Sequence, residues 1–582
     1  MTFKAPSFVP PLPDVPDTVP LPEFMFDEQY GRYPVSKSRD AYTCGLTGAS
    51  ISSQEQKARV TYLARALAEE LGWSVNEGSE FDKVAGIFAL NTIDIMTLNW
   101  AILSINGVSS PANAAYSVEE LRHQLHFSGC KALFTVASLL PVALEAATLA
   151  GLSHERIYIC EMPGDGVYPG HHKTISELID RGKDLPSLEP IRWTKGQGAR
   201  QTAFLCYSSG TSGLPKAVMI SHRNVIANTI QSCTFEKASR DSRGLDYRDV
   251  ALGLLPQSHI YGLVIIAHAS TWRGDQVIIL PKFELKPYLS AIAKYGINTL
   301  YLVPPIAINM ANSSDVMRSY DLGSVRQIYS GAAPLAKEVT DKLLTQHPNW
   351  VIRQAYGLTE SSTVVSSTSP YDIWPGSSGC LLPGCEVKLI DTESEKEVTG
   401  YGEAGEILVK SPAVVLGYLK NEKATQDAFV DLPEGRFLKT GDKGEFRLSP
   451  DGKVEHLWIV DRIKELIKVM GHQVAPAELE ACLLNHSAVA DCAVTSIFDN
   501  MAGEVPKAYV VKSCNALVSP KSDEALRDDI LDHIRRQKAR YKWITGGIEF
   551  LDVIPKSPSG KILRRVLRDK EQERRRAVGA KL

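Results

Sequence analysis

The sequence predicts an α/β chain built from several packed units, and three observations carry that prediction. Apolar, β-rich runs alternate with helical patterns over most of the length. At 582 residues the chain is longer than one compact core can use. From Gly402 to Val454 the pattern shifts to short strands with glycine turns, and beyond Asp461 to a charge-rich module. The expected arrangement is a large N-terminal domain over residues 1–460, with two α/β sheet layers plus a small antiparallel sheet or β-barrel. A small mobile α/β C-terminal domain follows over residues 461–582, with its hinge near Lys464.

The elements follow in order. Prolines at 6, 10, 11, 13, 16, 20 and 22 favour an extended arm lying on the surface. Val84 to Leu98 reads as a strand, a turn and a helix, and Thr299 to Met310 and Val325 to Leu344 repeat that unit. Thr202 to Tyr207 reads as a buried strand delivering the chain into a Ser/Gly loop, and Ala217 to Ile220 as a short strand leaving it. Ser221 then caps a helix in which Ile226 and Ile230 lie one turn apart on one face. The basic run from Arg564 to Arg576 reads as a solvated helix face.

Bulk properties exclude several classes. A net charge of −3 gives no electrostatic reason for nucleic acid as a partner, and no segment approaches the length of a transmembrane span. The N-terminal stretch has no apolar run of signal-peptide length. Ten cysteines without paired metal-ligand spacing fit buried thiols in a reduced compartment. Ala580-Lys581-Leu582 is a close relative of the Ser-Lys-Leu tripeptide, which predicts a peroxisomal import receptor as a partner and otherwise a cytoplasmic location.

The stretch YSSGTSGLPKAV, Tyr207 to Val218, gathers the first chemical signals. Gly210 and Gly213 permit backbone angles closed to other residues, while Ser208, Ser209, Thr211 and Ser212 supply hydroxyls. Such a chain can aim successive N–H groups at an anion, and Lys216 adds a full charge. A flexible surface loop has the same composition. It is not a Walker loop, because Ala217 follows the lysine. Further motifs follow: LPQSHIYGL from Leu255, YSGAAPL from Tyr329, QAYGLTES from Gln354, LKTGDKGEF from Leu438, VDRIKELIKVMGHQ from Val460 and IPKSPSGKILRR from Ile554.

This ordered set resembles the adenylate-forming superfamily of acyl-CoA synthetases, luciferases and peptide-synthetase adenylation domains, and most of all its 4-coumarate–CoA-ligase-like branch. The resemblance runs from about Val84 to the last arginines. It implies ATP and CoA as co-substrates and Mg2+ as cofactor, with the metal held through Glu360 and Thr211. It implies nucleotide contacts from Ser208 to Gly213, Lys216, Gly331, Ala332, Ala333, Gln354, Ala355, Tyr356, Gly357 and Thr359. Asp442 and Arg462 would hold the ribose. An acyl pocket would comprise His259, Tyr261, Ser330, Ala355, Thr363 and Val364. Lys561, His259, Lys216 and Glu360 would act in catalysis, and Lys464, Lys468, Gly471 and Gln473 in the hinge and thiol step.

The reading of the residues themselves leaves blander alternatives beside these roles. Tyr356 offers a flat face for a purine but also suits a core, Asp442 suits an Asx-turn, and His259 suits a hydrogen-bonded core histidine. The implied reaction is ATP-dependent activation of a carboxylate as an adenylate, then transfer to CoA. The expected acid is aryl (phenylpropanoid- or phenylacetate-like) or medium-chain. A carrier-protein thiol as acceptor and a luciferase-like oxygenase are the alternatives. Several positions depart from the branch pattern. Ala217 replaces a glycine and is expected in ordinary strand conformation, Ser258 a phenylalanine and Ala355 a glycine. Thr363 is expected to make one pocket wall more polar.

Overall fold

The computed structural model describes residues 1–163, 171–208, 215–470, 472–499, 502–517, 521–557 and 560–579. Two largely parallel sheets dominate the large N-terminal domain. The first has seven strands, with Val84–Phe88 between Val108–Ala112 and Ala132–Thr135 in parallel register. Toward one edge lies the antiparallel pair Thr202–Ser208 and Lys216–Ser221, in which Tyr207 lies opposite Ala217, with the two-residue strand Gly417–Tyr418 outermost. Ala217 therefore sits in extended backbone, as expected. The second sheet has nine strands, and its parallel centre includes Val250–Gly253, Thr299–Leu302, Gln327–Ser330 and Val351–Leu358.

The helix His222–Asp241 packs against strands of both sheets, which is why fifteen of its residues are buried. Ser221 caps it by accepting from the Asn224 amide, and that asparagine returns a bond to the Ser221 N–H. The segment Tyr261–Ala269 is a fully buried π-helix, a widened turn that recurs at functional sites.

The region expected to form a small antiparallel sheet or barrel takes the form of a six-stranded antiparallel sheet. Its long strand Gly435–Leu448 pairs with Gly405–Lys410, Phe429–Leu432 and Glu455–Arg462. The N-terminal arm departs from expectation. Phe3–Lys4 adds a strand to this sheet, and the Phe3 ring stacks on Phe446 with centroids 3.8 Å apart. Leu21–Phe26 forms a short buried helix against His222–Asp241, and its first amide donates to His222 Nδ1 at 3.0 Å. The proline spacing concealed apolar residues large enough to pull the arm into the core.

The small C-terminal domain begins after Arg462. Ile467–Val469, His472–Val474, Val489–Asp499, Gly503–Lys512 and Ile548–Phe550 form its sheet, with a separate core around Ile467, Leu479, Val494 and Ile530. All ten cysteines are free thiols, eight of them buried. No helix among the described residues is long and apolar enough to cross a membrane.

Candidate active site

Two clusters form where the sheets' C-terminal strand ends meet the antiparallel sheet and the small domain. In the first, Tyr356 donates its hydroxyl to Asp442 Oδ2 at 2.8 Å. Asp442 lies directly across the strand pair from Arg462, whose Nε stands 3.6 Å from Oδ1. Burial pushes the Asp442 carboxyl above its ordinary range, and Arg462 and the Tyr356 hydroxyl partly counter it. Burial likewise raises the Tyr356 phenol, with the Asp442 charge adding to it.

Lys561 reaches this cluster from the small domain. Burial and the Arg462 charge lower its ammonium to about 8, against the opposing pull of Glu465, Asp442 and Glu360. The preceding Gly560 explains the docking. Its φ is +80°, and a Cβ there would stand 2.9 Å from Val303 Cγ2, so only glycine lets the loop rest on the large domain. Three residues on, Arg564 Nη2 donates to both Glu480 carboxylate oxygens at 2.7 Å and Nη1 donates to Glu465 Oε2 at 2.6 Å, anchoring the segment that presents Lys561. Burial, and then the Lys561 charge, hold the His259 imidazole down to about 4, so it is neutral at pH 7. Its Nδ1 accepts the Tyr261 amide at 3.3 Å.

Glu360 centres the second cluster. Its Oε1 accepts from Ser208 Oγ and from the Tyr418 hydroxyl, both at 3.0 Å. Lys216 Nζ lies 4.8 Å from the centre of the Tyr418 ring, a cation–π contact that holds the ammonium beside Glu360. Tyr418 was absent from the sequence reading; its only local signal is an aromatic after Gly417 in a two-residue strand. Ser209, Gly210, Thr211, Ser212 and Gly213 lie outside the described residues, as do Gly471 and the Ala580-Lys581-Leu582 tail.

Gly331, Ala332 and Ala333 follow the strand Gln327–Ser330 as a loop, and Ala332 adopts φ +69°. Gln354 Oε1 pins that loop by accepting the Leu335 amide at 2.8 Å. Gly357 is required by space, since a Cβ there would fall 1.5 Å from the Thr363 carbonyl oxygen. Thr359 opens the short turn that carries Glu360. Ser362 and Thr363 hold φ values of +51° and +118°, strain concentrated beside the site. Lys464 and Lys468 are exposed, and Gln473 accepts from Lys443 Nζ at 2.9 Å across the domain junction.

Tyr261, Ala355 and Val364 line one cavity, a narrow one with about 40 Å³ open to the centre of a water molecule. His259, Ser330 and Thr363, expected in the same pocket, are not among its lining. The Thr363 hydroxyl is spent on the Ile260 carbonyl at 3.1 Å and makes no pocket wall polar. A separate trio, Ser377, His456 and Asp372, has the hydrogen-bond order of a hydrolase triad. Its serine is buried and already accepts the Gly379 amide, so the trio ties strands together and offers no nucleophile.

Residues 27–419 match the family model of the AMP-binding enzymes, and residues 478–561 match that family's C-terminal domain. The chain belongs to the AMP-binding enzyme family. The acyl-CoA ligase AFT1-1 of Alternaria alternata is 40% identical over 98% of this chain and 97% of its own length. The acyl-CoA ligase cm3C of Cordyceps militaris is 38% identical over 98% of this chain and 90% of its own. Among solved structures, the anthranilate CoA ligase AuaEII with anthranoyl-AMP superposes with a TM-score of 0.78 at 23% identity, over 96% of this chain and 98% of that one. The enzyme is an AMP-forming acid–CoA ligase that works through an adenylate.

Among the described residues no group of three His, Cys, Asp or Glu side chains could hold a metal. The lone Glu360 carboxylate suits magnesium instead, which is commonly held by one or two carboxylates together with substrate phosphates.

Proposed function

We propose that the ligase joins an aryl or medium-chain carboxylic acid to CoA, using magnesium-ATP. The observation that carries this reading is the approach of Lys561, from the small domain, to Asp442, Arg462 and Glu360 of the large one. In the first half-reaction the substrate carboxylate attacks the α-phosphorus of ATP and pyrophosphate leaves. Charge grows on phosphate oxygens, so the work is positioning and electrostatic stabilisation. Lys561 supplies an ammonium from one side and Lys216 another from beside Tyr418. The Asp442 carboxylate and Arg462 take the ribose, and the loop from Gly331 lies against the base. Glu360 would hold Mg2+, whose charge offsets that of the phosphates.

In the second half-reaction a thiol attacks the activated carbonyl and AMP departs. Lys561 then has no charge to hold. Rotation about Lys464 would withdraw it and bring Lys468, Gly471 and Gln473 to the thiol path. His259, expected between the acyl pocket and the thiol path, is neutral but weakly basic, so it would act there as a hydrogen-bond partner rather than as a strong base. The terminal Ala-Lys-Leu supports delivery to peroxisomes, which a fluorescent fusion with and without those three residues would check.

The test is mass spectrometry of reactions with magnesium-ATP and a panel of aryl and aliphatic acids, with CoA present or omitted. Thioester and AMP from particular acids are expected. Adenylates without any CoA product would overturn the choice of acceptor and favour a carrier-protein thiol.

A further inference from the structure

The cavity behind Tyr261 has a lining that is part apolar and part ionic. Ala355, Val364 and Ile265 supply apolar surface, while Arg240, Arg273, Asp249, Glu236 and Tyr301 supply charged and polar groups. The charged groups are paired before any ligand arrives. Arg353 holds Glu236 at 2.6 Å, Arg273 holds Asp275 at 2.8 Å, and Arg240 contacts Asp249 and Asp275. Three arginines thus face three carboxylates, and the network sums to zero.

Among the lining residues, Ser232 and Tyr301 have hydrogen-bonding capacity to spare. Ser232 lines the cavity, is 9% exposed, and its Oγ has no partner. The buried Tyr301 hydroxyl accepts from Arg273 Nη2 at 3.1 Å, and no acceptor for its own proton occurs among the described residues. A hydrocarbon tail would leave both groups buried and unsatisfied, which costs free energy. A tail ending in a carboxylate would bury a charge that the balanced network cannot neutralise.

We infer that this cavity selects a carboxylic acid whose distal end carries a neutral hydrogen-bonding oxygen, a hydroxyl group foremost, received by Ser232 and Tyr301. The inference deepens the ligase reading and rests on it, because Tyr261, Ala355 and Val364 identify the cavity as the acyl pocket. Within that reading it makes Ser232 a specificity-determining residue. The pocket discriminates by leaving its own polar groups unpaired with the wrong tail.

The experiment compares matched acids on the full-length enzyme: octanoic, decanoic and 3-phenylpropanoic acids, their terminal or para-hydroxylated forms, and the corresponding alkanedioic acids. Thioester formation gives kcat/KM, and calorimetry gives the Kd of each acid. The hydroxylated member of at least one pair is expected to be favoured about tenfold or more, with the diacid poorest. Ser232→Ala should shrink that preference about fivefold. Equal or better use and binding of every unsubstituted acid, or a preference for diacids, would overturn the inference while leaving the ligase reading intact. If no acid yields a thioester, the ligase reading fails, and the calorimetric preference alone still decides what the cavity selects.

Discussion

The cluster around Asp442 and the charged lining of the Tyr261 cavity are both buried, yet they are built on opposite plans. Around Asp442 the charges are left imperfectly matched: the Asp442 carboxyl is raised, and Lys561 is lowered to about 8. In the cavity network every arginine is paired, Arg240 and Arg273 sharing Asp275, and Glu236 is held below its ordinary range despite burial, chiefly by Arg353. Poised charges suit a site that must respond to charge developing in a reaction. Paired charges suit a wall whose shape must stay fixed. The strand Val351–Leu358 supplies both, with Arg353 pairing Glu236 of the cavity lining and Tyr356 bonded to Asp442.

The sharpest way to break the comparison is Arg353→Leu. It leaves the Glu236 carboxylate buried and unpaired, at about 3–5 kcal/mol. A lowered unfolding midpoint in denaturant is expected, and Glu236→Leu added to Arg353→Leu should restore most of it. Tyr418→Phe comes next. It removes a hydrogen bond to the Glu360 carboxylate, about 1.5–3 kcal/mol if the bond persists in the reacting complex. Pyrophosphate release should slow about tenfold or more, with the unfolding midpoint little changed.

A smaller effect comes from pH. The folded-state ammonium of Lys561 is lowered, so it is lost as pH rises through about 8. The kcat/KM of adenylation should fall about tenfold per pH unit above that value, and Lys561→Arg should shift or abolish this alkaline limb. A limb unchanged in Lys561→Arg would place the titration elsewhere. The smallest expected change is Gly560→Ala, which forces a side chain into positive φ and against Val303. Adenylation should slow several-fold, while thioester formation from supplied adenylate is unaffected.

The convergence of the residues in the two proposed nucleotide clusters was legible because they sit in short motifs. Tyr356, Glu360, Asp442, Arg462 and Lys561 each occupy a stretch of distinctive composition, and the fold brings these stretches to one place. The strand–turn–helix units were legible for a similar reason: Val84–Phe88 with Ile95–Ser104 and Thr299–Leu302 with Pro304–Asn312 each complete their pattern within about twenty residues. The charged lining of the cavity was not legible. Arg353 pairs with a residue 117 positions away, and Arg240 and Asp275 are 35 apart, so no local pattern marks either pair. Thr363 misled because composition gives a hydroxyl but not its direction; a residue at φ +118° turned it to the Ile260 carbonyl. The N-terminal arm misled because its prolines outweighed Phe3, Leu21 and Phe24, whose burial depends on partners hundreds of residues later.

The central claim is that Lys561 serves the first half-reaction and leaves before the second. Single-turnover kinetics of Lys561→Ala, with each half-reaction measured separately, tests it most directly. The account predicts that pyrophosphate release falls about 10²–10³-fold, while transfer from supplied acyl-adenylate to CoA stays near the wild-type rate. Equal losses in both halves would contradict it.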